Sequence, residues 1–154
     1  THVLWRDPGD IASRDLRYGP GSKERTPTGK FKFLQEETGG ANPKFDVEDE
    51  QGVSWRVKVG PEARAETAAT RLLWAVGYFV DENYYVPELR VEGMPKLSRG
   101  QEFVSADGIV HGARLERRPA GQKKIGTWTW SCLPIPRAIT WRGWWRRPSG
   151  TRWA

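Results

Sequence analysis

The run Ser54-Trp55-Arg56-Val57-Lys58-Val59, followed at once by Gly60-Pro61, decides the fold. Trp55, Val57 and Val59 share one face of an extended chain, and Arg56 and Lys58 share the other. That period of two is the mark of a half-buried strand. Gly60-Pro61 ends the run and opens a helix, since proline is tolerated at the first helical position, where its missing N–H has no partner anyway.

Working back toward the N-terminus, the same alternation recurs twice. Lys30-Phe31-Lys32-Phe33-Leu34-Gln35 is one run and Lys44-Phe45-Asp46-Val47-Glu48-Asp49 another. Thr38–Pro43, with Gly39-Gly40, separates the first two runs, and Asp49-Glu50-Gln51-Gly52 separates the second from the third. Short turns between alternating runs predict a three-stranded antiparallel meander. Residues 1–29 hold Pro8-Gly9, Gly19-Pro20-Gly21 and Pro27-Thr28-Gly29 and read as an irregular arm. Trp5, Ile11, Leu16 and Tyr18 are its candidates for pinning to a core.

Working forward, residues 61–76 carry an apolar stripe at helical spacing: Ala65, Ala68, Ala69, Leu72, Leu73 and Val76. This stripe is expected to be the buried face. Glu62 and Glu66 suit the N-terminal turns and Gly77 suits the stop. Tyr84–Val91, interrupted by Pro87, Glu102–Val104 and Ile109–Val110 read as further strand pieces, with Ala113–Arg117 as a continuation. The expected fold class is α+β. An antiparallel sheet of about five to six strands packs on one main helix (61–76) within a domain at 30–126.

Composition narrows the classes. The chain has 154 residues, one cysteine (Cys132) and two histidines (His2 and His111). An internal disulfide and a cysteine-based zinc site are excluded, and no catalytic residue or metal ligand is assigned. No apolar run reaches the ~18–20 residues of a membrane helix. The expectation is a soluble protein, cytoplasmic or exported if a signal peptide preceded Thr1. Residues 1–111 carry a net charge of -3, whereas residues 112–154 carry ten Lys and Arg against Glu116 alone. Residues 127–154 hold six of the nine tryptophans together with Arg137, Arg142, Arg146, Arg147 and Arg152. This tail reads as disordered, truncated or out of frame. The alternative is that its arginines meet phosphates and its tryptophans stack on bases, or that both meet an anionic surface.

One constellation outside the tail points to chemistry. Lys58 ends the third strand, and Glu62 and Glu66 follow four and eight residues later on the helix. The glycine turn at Gly39-Gly40 lets backbone N–H groups approach a phosphate with no Cβ in the way. A strand lysine below it reaches phosphate as a point charge, and a helix carboxylate holds that lysine. On a helical wheel Glu62 lies nearer the apolar stripe, so periodicity favours Glu62 as the partner. A plain surface ion pair and a plain hairpin turn are the simpler readings of the same residues.

The segment Lys58-Val59-Gly60-Pro61-Glu62-Ala63-Arg64-Ala65-Glu66 resembles the lysine-to-helix segment of phosphatidylinositol 3/4-kinase-type proteins. It matches in the strand lysine, the glycine at +2, the acids at +4 and +8 and the arginine at +6. The likeness spans roughly residues 30–118, a kinase-like N-terminal lobe. It implies ATP as the ligand, Lys58 on its phosphates, Glu66 as the helix partner, and Gly39, Gly40, Asn42 and Lys44 in the phosphate loop. The chain contains neither a His-Arg-Asp or Asp-Arg-His loop nor an Asp-Phe-Gly triplet. The resemblance therefore implies an incomplete kinase-like domain, inactive without a C-terminal lobe as partner.

Overall fold

The computed structural model describes residues 5–119 and 121. The three alternating runs become β1 (Lys30–Glu37), β2 (Lys44–Asp49) and β3 (Ser54–Val59). Helix α1 (Ala63–Ala75) follows, then β4 (Asn83–Glu92) and β5 (Ile109–Arg118). Short 3-10 turns lie at Ile11–Ser13 and Gln101–Phe103.

The strands close into a barrel in the order β1-β2-β3-β5-β4. Four of the contacts are antiparallel. The fifth, which shuts the barrel, is parallel and short: Lys30 pairs with Arg90, Phe31 with Val91 and Lys32 with Glu92. A bulge between Phe33 and Gln35 breaks the β1–β2 register and leaves Leu34 exposed. Bulges of this kind bend a strand, as closure of a small barrel requires.

The core lies inside the barrel. Phe31, Phe45, Val47, Trp55, Val57, Val59, Leu89, Val110 and Leu115 are buried there. Their inward positions are those dictated by the alternation along β2 and β3. The indole N–H of Trp55 donates to Asp49 at 2.8 Å, so the one polar atom of this core tryptophan is satisfied.

This architecture corrects the expected one. The domain is a closed five-stranded barrel with a helix on its outside, and not an open sheet packed on a main helix in the manner of a kinase N-terminal lobe. The interior of the barrel already buries the apolar faces of the strands, so the helix is not needed to cover them. The stripe that α1 buries is Ala63, Thr67, Arg71 and Ala75. The stripe expected to be buried faces outward, with Leu72 60% exposed and Leu73 and Val76 close behind. Two strand assignments also change. Residues 84–91 belong to one strand that runs through Pro87, and residues 101–103 form a 3-10 turn.

Among its described residues the N-terminal arm contains no strand, and it lies against the barrel and the end of α1. The Tyr84 hydroxyl accepts from the Ser22 N–H at 3.0 Å, and Tyr18 packs on the core. No helix among the described residues is long and apolar enough to cross a membrane. The Trp/Arg-rich segment 127–154, including Arg137, Arg142, Arg146, Arg147 and Arg152, lies outside the described residues.

Candidate functional site

Lys58 stands on the outer face of β3 because Val57 and Val59, its neighbours in the pleat, are buried in the barrel. The strand register fixes what stands beside it. Lys44 of β2 pairs with Lys58, Lys58 with Arg114 of β5, and Arg114 with Tyr85 of β4. Directly opposed residues share a face. One row therefore crosses four strands on the outside of the barrel: Lys44, Lys58, Arg114 and Tyr85. At the usual strand spacing of about 4.8 Å, its three cations span roughly 10 Å.

Helix α1 places a carboxylate over the middle of this row. Glu66 Oε2 lies 3.5 Å from Lys58 Nζ and 3.5 Å from an Arg114 guanidinium nitrogen. Arg114 also pairs with Glu116 at 3.1 Å. Its side chain is only 8% exposed, whereas Lys58 and Glu66 are each about a third exposed. Arg114 is thus the inner post of the cluster and Lys58 the outer one. The Arg114 Nε makes no hydrogen bond among the described residues.

Of the two helix acids, Glu66 meets Lys58. Glu62 instead accepts from the side-chain amide of Asn42 at 2.7 Å. That contact ties the glycine turn to the start of α1. Arg64, two residues along, lies over the Tyr85 ring at 4.9 Å and donates to the Tyr85 hydroxyl.

The turn itself is gripped from behind. Arg99 donates to the carbonyls of Thr38, Gly40 and Ala41. In a trans peptide the C=O and the following N–H point opposite ways. The N–H groups of Ala41 and Asn42 are therefore directed away from Arg99. The Gly39 N–H is taken by Glu37 at 3.3 Å. Gly40 has a φ of 83°, a left-handed conformation in which glycine is unstrained. A Cβ there would sit 3.2 Å from the Lys44 ammonium, so Lys44 folds closely over the turn.

The structure brings together Lys58 with Glu66, Lys44 with Gly40, and Asn42 with the helix start. A cleft of about 320 Å³ lies at the Tyr85 end of the row, lined by Gly60, Pro61, Arg64, Tyr85, Phe103, His111 and Gly112, and neither Lys58, Glu66, Lys44 nor the glycine turn lines it. Another, of about 340 Å³, lies at the far end of β3 by Trp55, Arg25 and Arg117, away from the cation row. Sequence reasoning missed Arg114. Its signal is faint: an arginine inside a run otherwise read as a plain strand, made conspicuous only by its register with Lys58. No family model, curated protein or solved structure matches this chain.

Proposed function

We propose that the cation row beneath the Gly39-Gly40 turn binds the phosphate chain of a nucleotide, ATP being the reference ligand, and that these residues do not transfer phosphate alone. The single observation that supports the reading is the Lys58–Glu66 pair, 3.5 Å apart between strand and helix. The carboxylate holds a partly exposed ammonium beside a turn in which two amide N–H groups point away from Arg99. Lys44 adds a second point charge at the same turn. Phosphate is served well by such a mixture of backbone N–H and lysine.

The resemblance of the segment Lys58–Glu66, which does not extend to the closed barrel fold, supports the choice of a nucleotide over a free anion. In that reading the group that takes the acceptor's proton and the magnesium ligands come from a C-terminal lobe. Their motifs are absent from these 154 residues. The barrel architecture neither requires nor supplies them.

The test is titration of the protein with a fluorescent ATP analogue, with unlabelled ATP as competitor. Lys58→Ala is expected to weaken binding at least tenfold, about 1.4 kcal/mol, with the unfolding midpoint almost unchanged. A simple surface ion pair would give no ATP binding at all, or binding indifferent to Lys58→Ala. Either result overturns the proposal.

A further inference from the structure

The outward face of α1 is the feature that neither the barrel nor the cation row uses. Ala65, Ala69, Leu72 and Val76 follow one another at spacings of four, three and four. This is the seam of a coiled-coil helix, and it points away from the barrel. Leu72, Leu73 and Val76 are 44–60% exposed, and Trp5, Tyr78 and Phe79 extend the same patch to a similar degree. Isolated exposed leucines need no explanation, but a contiguous apolar seam does.

We infer that this face docks against the same face of a second copy of the chain, the two α1 helices running antiparallel about a twofold axis. The seam is self-complementary in size. In an antiparallel pair Ala69 stands opposite the partner's Leu72, and Ala65 opposite the partner's Val76. Each large side chain then meets a small one, as close helix packing requires.

In the antiparallel arrangement the two helix dipoles are opposed, which favours it.

The area is sufficient for a reversible dimer. Full burial of an aromatic side chain covers ~150–250 Å², and of an aliphatic one ~60–120 Å² at 25 cal/mol per Å². Half of those values over the three aromatic and three aliphatic residues, with the alanines, gives roughly 500 Å² per copy. About 1,000 Å² in total is the lower edge of specific interfaces. The dimer is therefore expected to dissociate on dilution. This inference does not rest on nucleotide binding.

The experiment is sedimentation equilibrium of the full chain over a wide range of concentration. A concentration-dependent monomer–dimer equilibrium is expected, lost in Leu72→Glu. That variant should keep its circular dichroism and unfolding midpoint, since Leu72 is 60% exposed. A second measurement fixes the register. In a Cys132→Ser background, Ala69→Cys mixed with Leu72→Cys should cross-link under mild oxidation, far more than Ala65→Cys mixed with Leu72→Cys. A monomer at every concentration overturns the inference. So does a dimer that survives Leu72→Glu, which would place the contact elsewhere on the chain, or a failure of the 69–72 cross-link.

Discussion

One oxygen of Glu66 sits between two cations, and the two are not equivalent. Arg114 is buried and also holds Glu116, whereas Lys58 is partly in solvent. Removing one partner of a buried pair leaves the other charged and unpaired, which costs far more than losing a surface pair. Arg114→Ala is accordingly expected to destabilise the fold by roughly 3 kcal/mol, and Lys58→Ala by at most about 1 kcal/mol. Urea unfolding of the two variants reads the difference, and equal losses would contradict the assigned roles. Asp46 gives a second expectation at this scale. Burial pushes its carboxyl up. Hydrogen bonds from Arg56 at 2.8 and 3.0 Å, another from Gln35 and the Arg56 charge outweigh burial and hold it below the ordinary value. The unfolded chain then takes up the proton first. The resulting stability is present above about pH 4 and is lost as pH falls through the depressed folded value. Urea midpoints between pH 5 and pH 2.5 should fall, and Asp46→Asn should fall less steeply over that window.

Helix α1 is secured at its C-terminal end by the arm rather than by its own apolar stripe. Trp5 Nε1 donates to the Val76 carbonyl at 2.6 Å, an Arg14 guanidinium nitrogen to Trp74 at 3.1 Å, and the Arg6 N–H to Gly77 at 2.9 Å. The Val76 and Gly77 carbonyls beyond the last helical turn gain partners in this way, and the Trp74 carbonyl, which also accepts from the Gly77 N–H at 3.0 Å, gains a second. Gly77 has a φ of 97°, and a Cβ there would run into the Arg6 carbonyl. Gly77→Ala is therefore expected to lose more than about 1 kcal/mol and to loosen the arm, read as faster amide exchange at Arg6. Unchanged exchange would show that the arm does not depend on this turn. The helix also shows what a sequence can and cannot tell. Alternation placed β1, β2 and β3 to within two residues, because one face of each strand is buried in the barrel. The helical period located α1, but a wheel cannot say which of two stripes meets the protein. Thr67 and Arg71 are buried because each donates to a backbone carbonyl there, although the second Arg71 guanidinium nitrogen makes no hydrogen bond among the described residues. The Thr67 hydroxyl donates to the Ala63 carbonyl and the Arg71 guanidinium to the Asn83 carbonyl. The Lys58–Glu66 contact was legible from spacing together with the resemblance, and periodicity alone pointed to Glu62. Arg114 depends on β3–β5 register, which no local pattern encodes.

Closure is a property of the whole molecule and rests on few contacts. Only three residue pairs join β1 to β4, and the partners lie far apart in sequence. Turn chemistry dictates hairpins between successive strands, but nothing local specifies that β1 meets β4, so the sheet reads as open until the whole chain is in place. What stabilises the closure is side-chain burial. Phe31, in the middle pair opposite Val91, is 2% exposed and fills the seam from within. Phe31→Ala should cost ~3–5 kcal/mol as a large core truncation, enough to unfold a domain of ordinary stability. The opposite expectation holds for the C-terminal segment. Among the described residues the buried core side chains lie between Phe31 and Leu115, and the last strand, β5, ends at Arg118. Every strand pair that closes the barrel is therefore complete before residue 119. A chain ended after Gln122 is expected to unfold in one cooperative transition, with a midpoint within ~10 °C of the full-length protein. A larger fall, or loss of cooperativity, would mean that residues 123–154 contribute burial the barrel needs. Since the segment carries seven of the chain's basic residues and no acidic side chain, the same comparison made at low and high salt separates the two ways it could act. A difference that vanishes with salt is electrostatic, and one that persists is apolar packing.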